Sequence, residues 1–138
     1  MKTTLNIAVL AALLVAPSPC FALWEIAPVS RERAKELGME VRSAAAGPNQ
    51  VRVELEFKAE GLLKNFSRVD LRFSEGDNPP LTAPLQEDRS KPGRIVVSLN
   101  ADRAHLDKIN LWLFVPESLG GTIYHLQVKD FVELKKDR

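Results

Sequence analysis

Val51-Arg-Val-Glu-Leu-Glu-Phe-Lys58 alternates without a break. Val51, Val53, Leu55 and Phe57 fall on one side of an extended chain, and Arg52, Glu54, Glu56 and Lys58 on the other. Successive side chains of a β-strand point to opposite faces, so this pattern predicts a strand with one face on a core and one in water. Gly47-Pro48-Asn49-Gln50 precedes it. Proline presets one backbone angle, and glycine and asparagine tolerate positive φ, which is the chemistry of a turn. Before the turn, Met39 and Val41 alternate with Glu40 and Arg42, so Met39 to Lys58 is expected to be a β-hairpin.

The same alternation recurs on both sides of the hairpin. Leu23 to Val29 is apolar with one acid and contains Pro28, which suits a short edge strand. Ser30, Arg31 to Leu37 and Gly38 fit a two-turn helix with a serine N-cap, although a strand running into Met39 fits nearly as well. After Gly61, a connection carrying Leu62, Leu63 and Phe66 is expected to plug one end of the core. Val69, Leu71 and Phe73 alternate with Arg68, Asp70 and Arg72, and Leu81, Ala83 and Leu85 read as a weak edge strand. Pro92-Gly93 turns the chain into Ile95, Val97 and Leu99. Asn100 to Lys108 suits a helical turn capped by Asn100 with Leu106 inward, and a last strand is expected from about Thr122 to Asp130. Phe131 and Leu134 break its phase, which suggests a bulge or a docked tail.

About six to eight short strands with turn signals between them predict an all-β antiparallel sandwich, immunoglobulin-like or similar, with at most one or two helical turns. A small barrel is the alternative. Neither an internal repeat nor a low-complexity linker divides the chain.

Met1 to Ala22 reads as a secretory signal peptide. Lys2 gives the positive start, Leu5 to Val15 an apolar run broken only by Asn6, and Ala16-Pro-Ser-Pro-Cys-Phe-Ala22 a cleavage region. Residues 23–138 would then form one domain in a secreted or periplasmic compartment, of bacterial type. Pro17, Ser18 and Pro19 do not make the Leu-small-small pattern that precedes a lipidated cysteine, so Cys20 is expected to leave with the leader. The remaining domain could form no disulfide and would have to rest on its core. The 19 Lys and Arg against 18 Asp and Glu balance once Lys2 is removed. The charges are interspersed, without the basic stripe of a nucleic-acid binder. No later apolar run approaches the roughly 20 residues of a membrane-spanning helix.

Candidate chemistry is thin. His105 and His125 stand far apart with no thiolate to complete a zinc shell. Ser74-Glu-Gly-Asp-Asn78, with Asp70 nearby, is the densest oxygen cluster, but it has no EF-hand register and two prolines follow it. Ser118, beside Glu117, is not in a nucleophile elbow, and Gly120-Gly121 lacks the setting of a phosphate cradle. Asn65-Phe66-Ser67 is formally a glycosylation sequon. No cofactor, metal or catalytic set is expected.

Ile109 to Val115 is different. Ile109, Leu111, Leu113 and Val115 make one apolar face, and Trp112 and Phe114 make the other apolar too. Such a strand is usually covered on both sides. Either Leu23, Trp24 and Ile26 pack over the two aromatics, or Trp112 and Phe114 form an open surface that binds an envelope protein, a glycan or a lipid. The function expected from sequence is an exported, non-catalytic module that binds or supports another envelope component. A small secreted enzyme or carbohydrate-binding domain is the alternative.

Overall fold

A computed structural model describes residues 23–132. The expected leader and its cysteine lie outside them, as does Leu134. In chain order the elements are β1 (Trp24–Pro28), α1 (Arg31–Glu36), β2 (Glu40–Ala45), β3 (Gln50–Phe57), β4 (Arg68–Phe73), β5 (Leu81–Pro84), β6 (Glu87–Asp88), β7 (Ile95–Asp102), β8 (Ile109–Glu117) and β9 (Gly120–Gln127). Short 3-10 turns at Gly61–Leu63, Arg103–Lys108 and Val128–Phe131 complete the chain.

Two sheets result, one of order β1-β9-β8-β4-β5 and one of order β2-β3-β7-β6. Every pairing is antiparallel except that of β1 with β9. The order β2-β3-β7-β6 follows the A-B-E-D sheet of an immunoglobulin-type sandwich, and β9-β8-β4-β5 follows its G-F-C-C′ sheet. The hairpin expected at Met39 to Lys58 is β2–β3, paired from Glu40 with Glu56 to Ala45 with Val51.

The alternating apolar positions line the space between the sheets. Val53, Leu55, Phe57, Leu63, Val69, Val97, Leu113 and Leu126 are almost wholly buried. Phe57 meets Phe66 edge to face at 4.8 Å between ring centres. Burying each such side chain contributes about 1.5–3 kcal/mol, which is how a chain without disulfides holds together.

Where alternatives stood open, local chemistry decides. Residues 31–36 are helical because Ser30 Oγ accepts from Arg33 N–H at 3.1 Å and Gly38, at φ 74°, ends the turn. Three expectations need correction. Leu62 does not plug the core: it is 62% exposed, while its neighbour Leu63 is buried. Asn100 does not cap the turn at Arg103–Lys108. It lies within β7 opposite Arg52, and the Asp102 carboxylate accepts from Ala104 N–H instead. The last strand ends at Gln127 rather than Asp130, because the chain tightens into a 3-10 turn that buries Val128.

Candidate functional site

Strand β8 is the centre of the five-stranded sheet. Its odd residues Ile109, Leu111, Leu113 and Val115 are buried in the core, so its even residues point outward. Cross-strand register then defines the outer face. Trp112 lies between Asp70 of β4 and His125 of β9, and Phe114 between Arg68 and Ile123. On β1, Trp24 is opposite Gly121 and Ile26 opposite Ile123.

Trp112 and Phe114 are contiguous, with ring centres 6.4 Å apart, and both are half-buried. What covers them is not the N-terminal segment. That segment is the edge strand β1, lying within the sheet beyond β9 rather than over it. Only Trp24 reaches across, edge-on to Phe114 at 6.0 Å, and Leu23, Trp24 and Ile26 stay 42%, 37% and 53% exposed. The cover comes from β4. Arg72 lays its guanidinium over Trp112, 4.1 Å from the ring centre, and Arg68 lays its own over Phe114 at 4.4 Å. Each stack is worth about 0.5–1 kcal/mol at such a surface. The alternation of Arg68, Asp70 and Arg72 was legible in sequence, but not that the arginines would roof the aromatics.

A cleft of about 360 Å³ opens beside the stack, lined by Trp24, Ser67, Arg68, Phe114 and Pro116. Ser67 is held there by donating from both its N–H and its hydroxyl to the Phe114 carbonyl. Arg68 also faces Asp70 at 3.5 Å, whereas Arg72 has no ion pair among the described residues. Trp112 Nε1 and His125 Nε2 are buried and make no hydrogen bond among the described residues. No family model matches this chain, nor does any curated protein or solved structure.

His125 packs edge-on to Trp112 at 5.9 Å. Burial, and secondarily the charge of Arg72, hold its imidazole below the ordinary histidine range. The folded chain therefore binds this proton less readily than the unfolded chain. The contribution of neutral His125 to stability is complete above the unfolded value of about 6.5 and declines as pH falls through the folded value. An NMR titration should find the His125 midpoint depressed. In Arg72→Gln the midpoint should rise, yet stay below the ordinary value because the larger cause, burial, remains. A His125 midpoint at or above 6.5 in the unaltered chain would contradict this geometry.

The other sequence candidates are placed apart from this face or tied to structural partners. His105 packs against Phe73. Glu75 of the Ser74–Asn78 turn binds Lys108 at 3.1 Å, and among the described residues no three His, Cys, Asp or Glu side chains gather as a metal site. In the sequon, Phe66 is buried while Asn65 is exposed.

Sequence reasoning missed one cluster. Glu56, expected on the wet face of β3, is only 4% exposed. Lys91 donates to its Oε1 at 3.1 Å and Arg94 to its Oε2 at 2.7 Å, with Arg42 at 3.5 Å. The bond from Lys91, followed by that from Arg94, keeps its carboxyl below the usual range against the opposing effect of burial. The signal was the placement of Lys91 and Arg94 on either side of Pro92-Gly93, but only the pairing of β3 with β7 brings that turn over Glu56.

Proposed function

We propose that this chain is an exported, non-catalytic β-sandwich module that binds another cell-envelope component through the outer face of its five-stranded sheet. The partner surface is a protein presenting carboxylates. The observation that carries this reading is the pair of guanidiniums held over the rings of Trp112 and Phe114. A guanidinium held over a ring face still has N–H donors that the ring does not consume, in the fork that matches a carboxylate. The ring contact also fixes the side chain beforehand, so less freedom is lost on binding. Arg72 has no ion pair among the described residues, and aromatic and arginine side chains together are what dominate binding energy at protein interfaces.

A sugar platform is less well supported, because a guanidinium already occupies one face of each ring. Glu56, the most buried carboxylate among the described residues, is neutralised by Lys91 and Arg94 and is tied to structure rather than to chemistry on a substrate. Export rests on the Met1 to Ala22 pattern, and predicts a mature mass beginning at Leu23.

The test is cross-linked capture from an envelope extract by the unaltered chain, Arg72→Glu and Trp112→Ala in parallel. The same protein should be captured by the first and lost from both variants. Identical capture by all three would overturn the reading.

A further inference from the structure

Among the described residues the two sheets have four edge strands, and three of them are blunted. β1 contains Pro28 and β5 contains Pro84 just after Pro79-Pro80, while β6 is only two residues long. Proline, brevity and bulges are the usual means of preventing a further strand from pairing. β2 has neither proline, brevity nor a bulge, and its protection is limited to the charges of Glu40 and Arg42 and the neighbouring α1. β2 is a six-residue strand in unbroken register with β3.

Its hydrogen-bond phase follows from the turn. Ala46 N–H donates to the Gln50 carbonyl at 2.9 Å. Antiparallel pairs alternate between bonded and non-bonded, so Ala44, Arg42 and Glu40 spend their backbone groups on β3. Val41, Ser43 and Ala45 therefore turn theirs to the edge that no other described strand pairs with. A groove of about 800 Å³ runs along that edge, with α1 as its far wall and Ala34, Met39, Val41 and Phe131 contributing its apolar surface.

We propose that this groove binds an extended, acidic peptide segment of a partner protein by strand addition to β2. Backbone pairing to Val41 and Ser43 would supply the affinity, and alternate apolar side chains would fill the space between β2 and α1. The acidic character follows from charge. Arg31 at the groove is already engaged, its Nε donating to the Asp130 carbonyl, and among the described lining residues Lys35 and Arg42 stand with one carboxylate, Glu40. Arg42 is engaged by Glu40, Glu54 and Glu56, but Lys35 on the helical wall has no ion pair among the described residues. A lone strand suits a groove closed by a helix better than a second sandwich, which would bring its own helix to the same space. This surface is separate from the Trp112 face and does not depend on it.

The probe is a phage-displayed library of random octapeptides panned against the full chain, with enriched sequences remade and measured by fluorescence anisotropy. Enriched peptides should alternate apolar residues with Asp or Glu. They should bind the unaltered chain and Arg72→Glu alike, and bind Ser43→Pro and Lys35→Glu at least tenfold more weakly. Ser43→Pro removes a donor that β3 does not use, and Lys35→Glu changes an exposed helical position, so either variant can be read if the other folds poorly. Absence of enrichment, or binding indifferent to both substitutions, would overturn the proposal. So would a dimer dissolved by Ser43→Pro in a chain that binds no peptide, since the edge would then belong to a second copy.

Discussion

Leu113→Ala should destabilise the chain by about 3–5 kcal/mol, read as a lower denaturant midpoint at unchanged slope. Leu113 has no exposed surface and sits mid-way along β8, opposite Val69 and Tyr124 on the neighbouring strands. Truncation there removes buried methyl groups and leaves a cavity that flanking strands, fixed by their ladders, cannot close. The matched control is Leu119→Ala, 73% exposed at the β8–β9 turn, where the change should stay within about 0.5 kcal/mol. A cost below about 1 kcal/mol for Leu113→Ala would mean that β8 is not the centre of the packed sheet.

Gly121→Ala should cost about 2–4 kcal/mol and disturb the binding face at the same time. Gly121 adopts φ 150°, which L residues rarely do. A Cβ at this position would meet the backbone carbonyl oxygen of Val115, lie 2.7 Å from the Pro116 Cα and lie 3.0 Å from the Trp24 ring. The first two are backbone atoms held in the β8–β9 ladder, so they cannot move without breaking pairing. The Trp24 ring is the part that can yield, and its displacement would take it off Phe114. Denaturation should therefore show the loss of stability, and tryptophan emission a shift to longer wavelength as Trp24 enters solvent. A variant as stable as the parent would show that β1 does not lie against β9 as described.

Gly120-Gly121 illustrates what a single sequence withholds. The pair reads as an ordinary turn with no phosphate-binding context, whereas its role is steric and concerns β1, almost a hundred residues away in the chain. Alternation was sufficient for β3, β4 and β7, because each has one face on a shared core and the period of two is visible locally, while β8 was legible as a run apolar on both faces. The sandwich class followed from those strands. Topology did not, since nothing near Trp24 announces that β1 pairs in parallel with β9.

The candidate face was legible in the same partial way. Trp112 and Phe114 stood out because they make a core strand apolar on its second side. The expectation that the N-terminal segment would lie over them assumed that an apolar segment must bury itself, whereas β1 satisfies its backbone by joining the sheet. Arg68 and Arg72 read as solvated partners of an alternating strand. Their place over the rings depends on the β4–β8 register, which pairs Asp70 with Trp112 and brings the flanking arginines to the aromatic stripe. Glu56 went unrecognised for the same reason: a charged residue on an outer face is buried only when a distant turn folds over it.

The most direct test of the binding face is a nitrogen–proton NMR titration of the chain with the protein captured by it. The account predicts that the Trp112 indole N–H, buried and without a hydrogen-bond partner among the described residues, shifts together with amides of β4 and β8 around Arg72 and Phe114. Unchanged Trp112 signals, with shifts confined to β2 or to the β6–β7 turn, would contradict it.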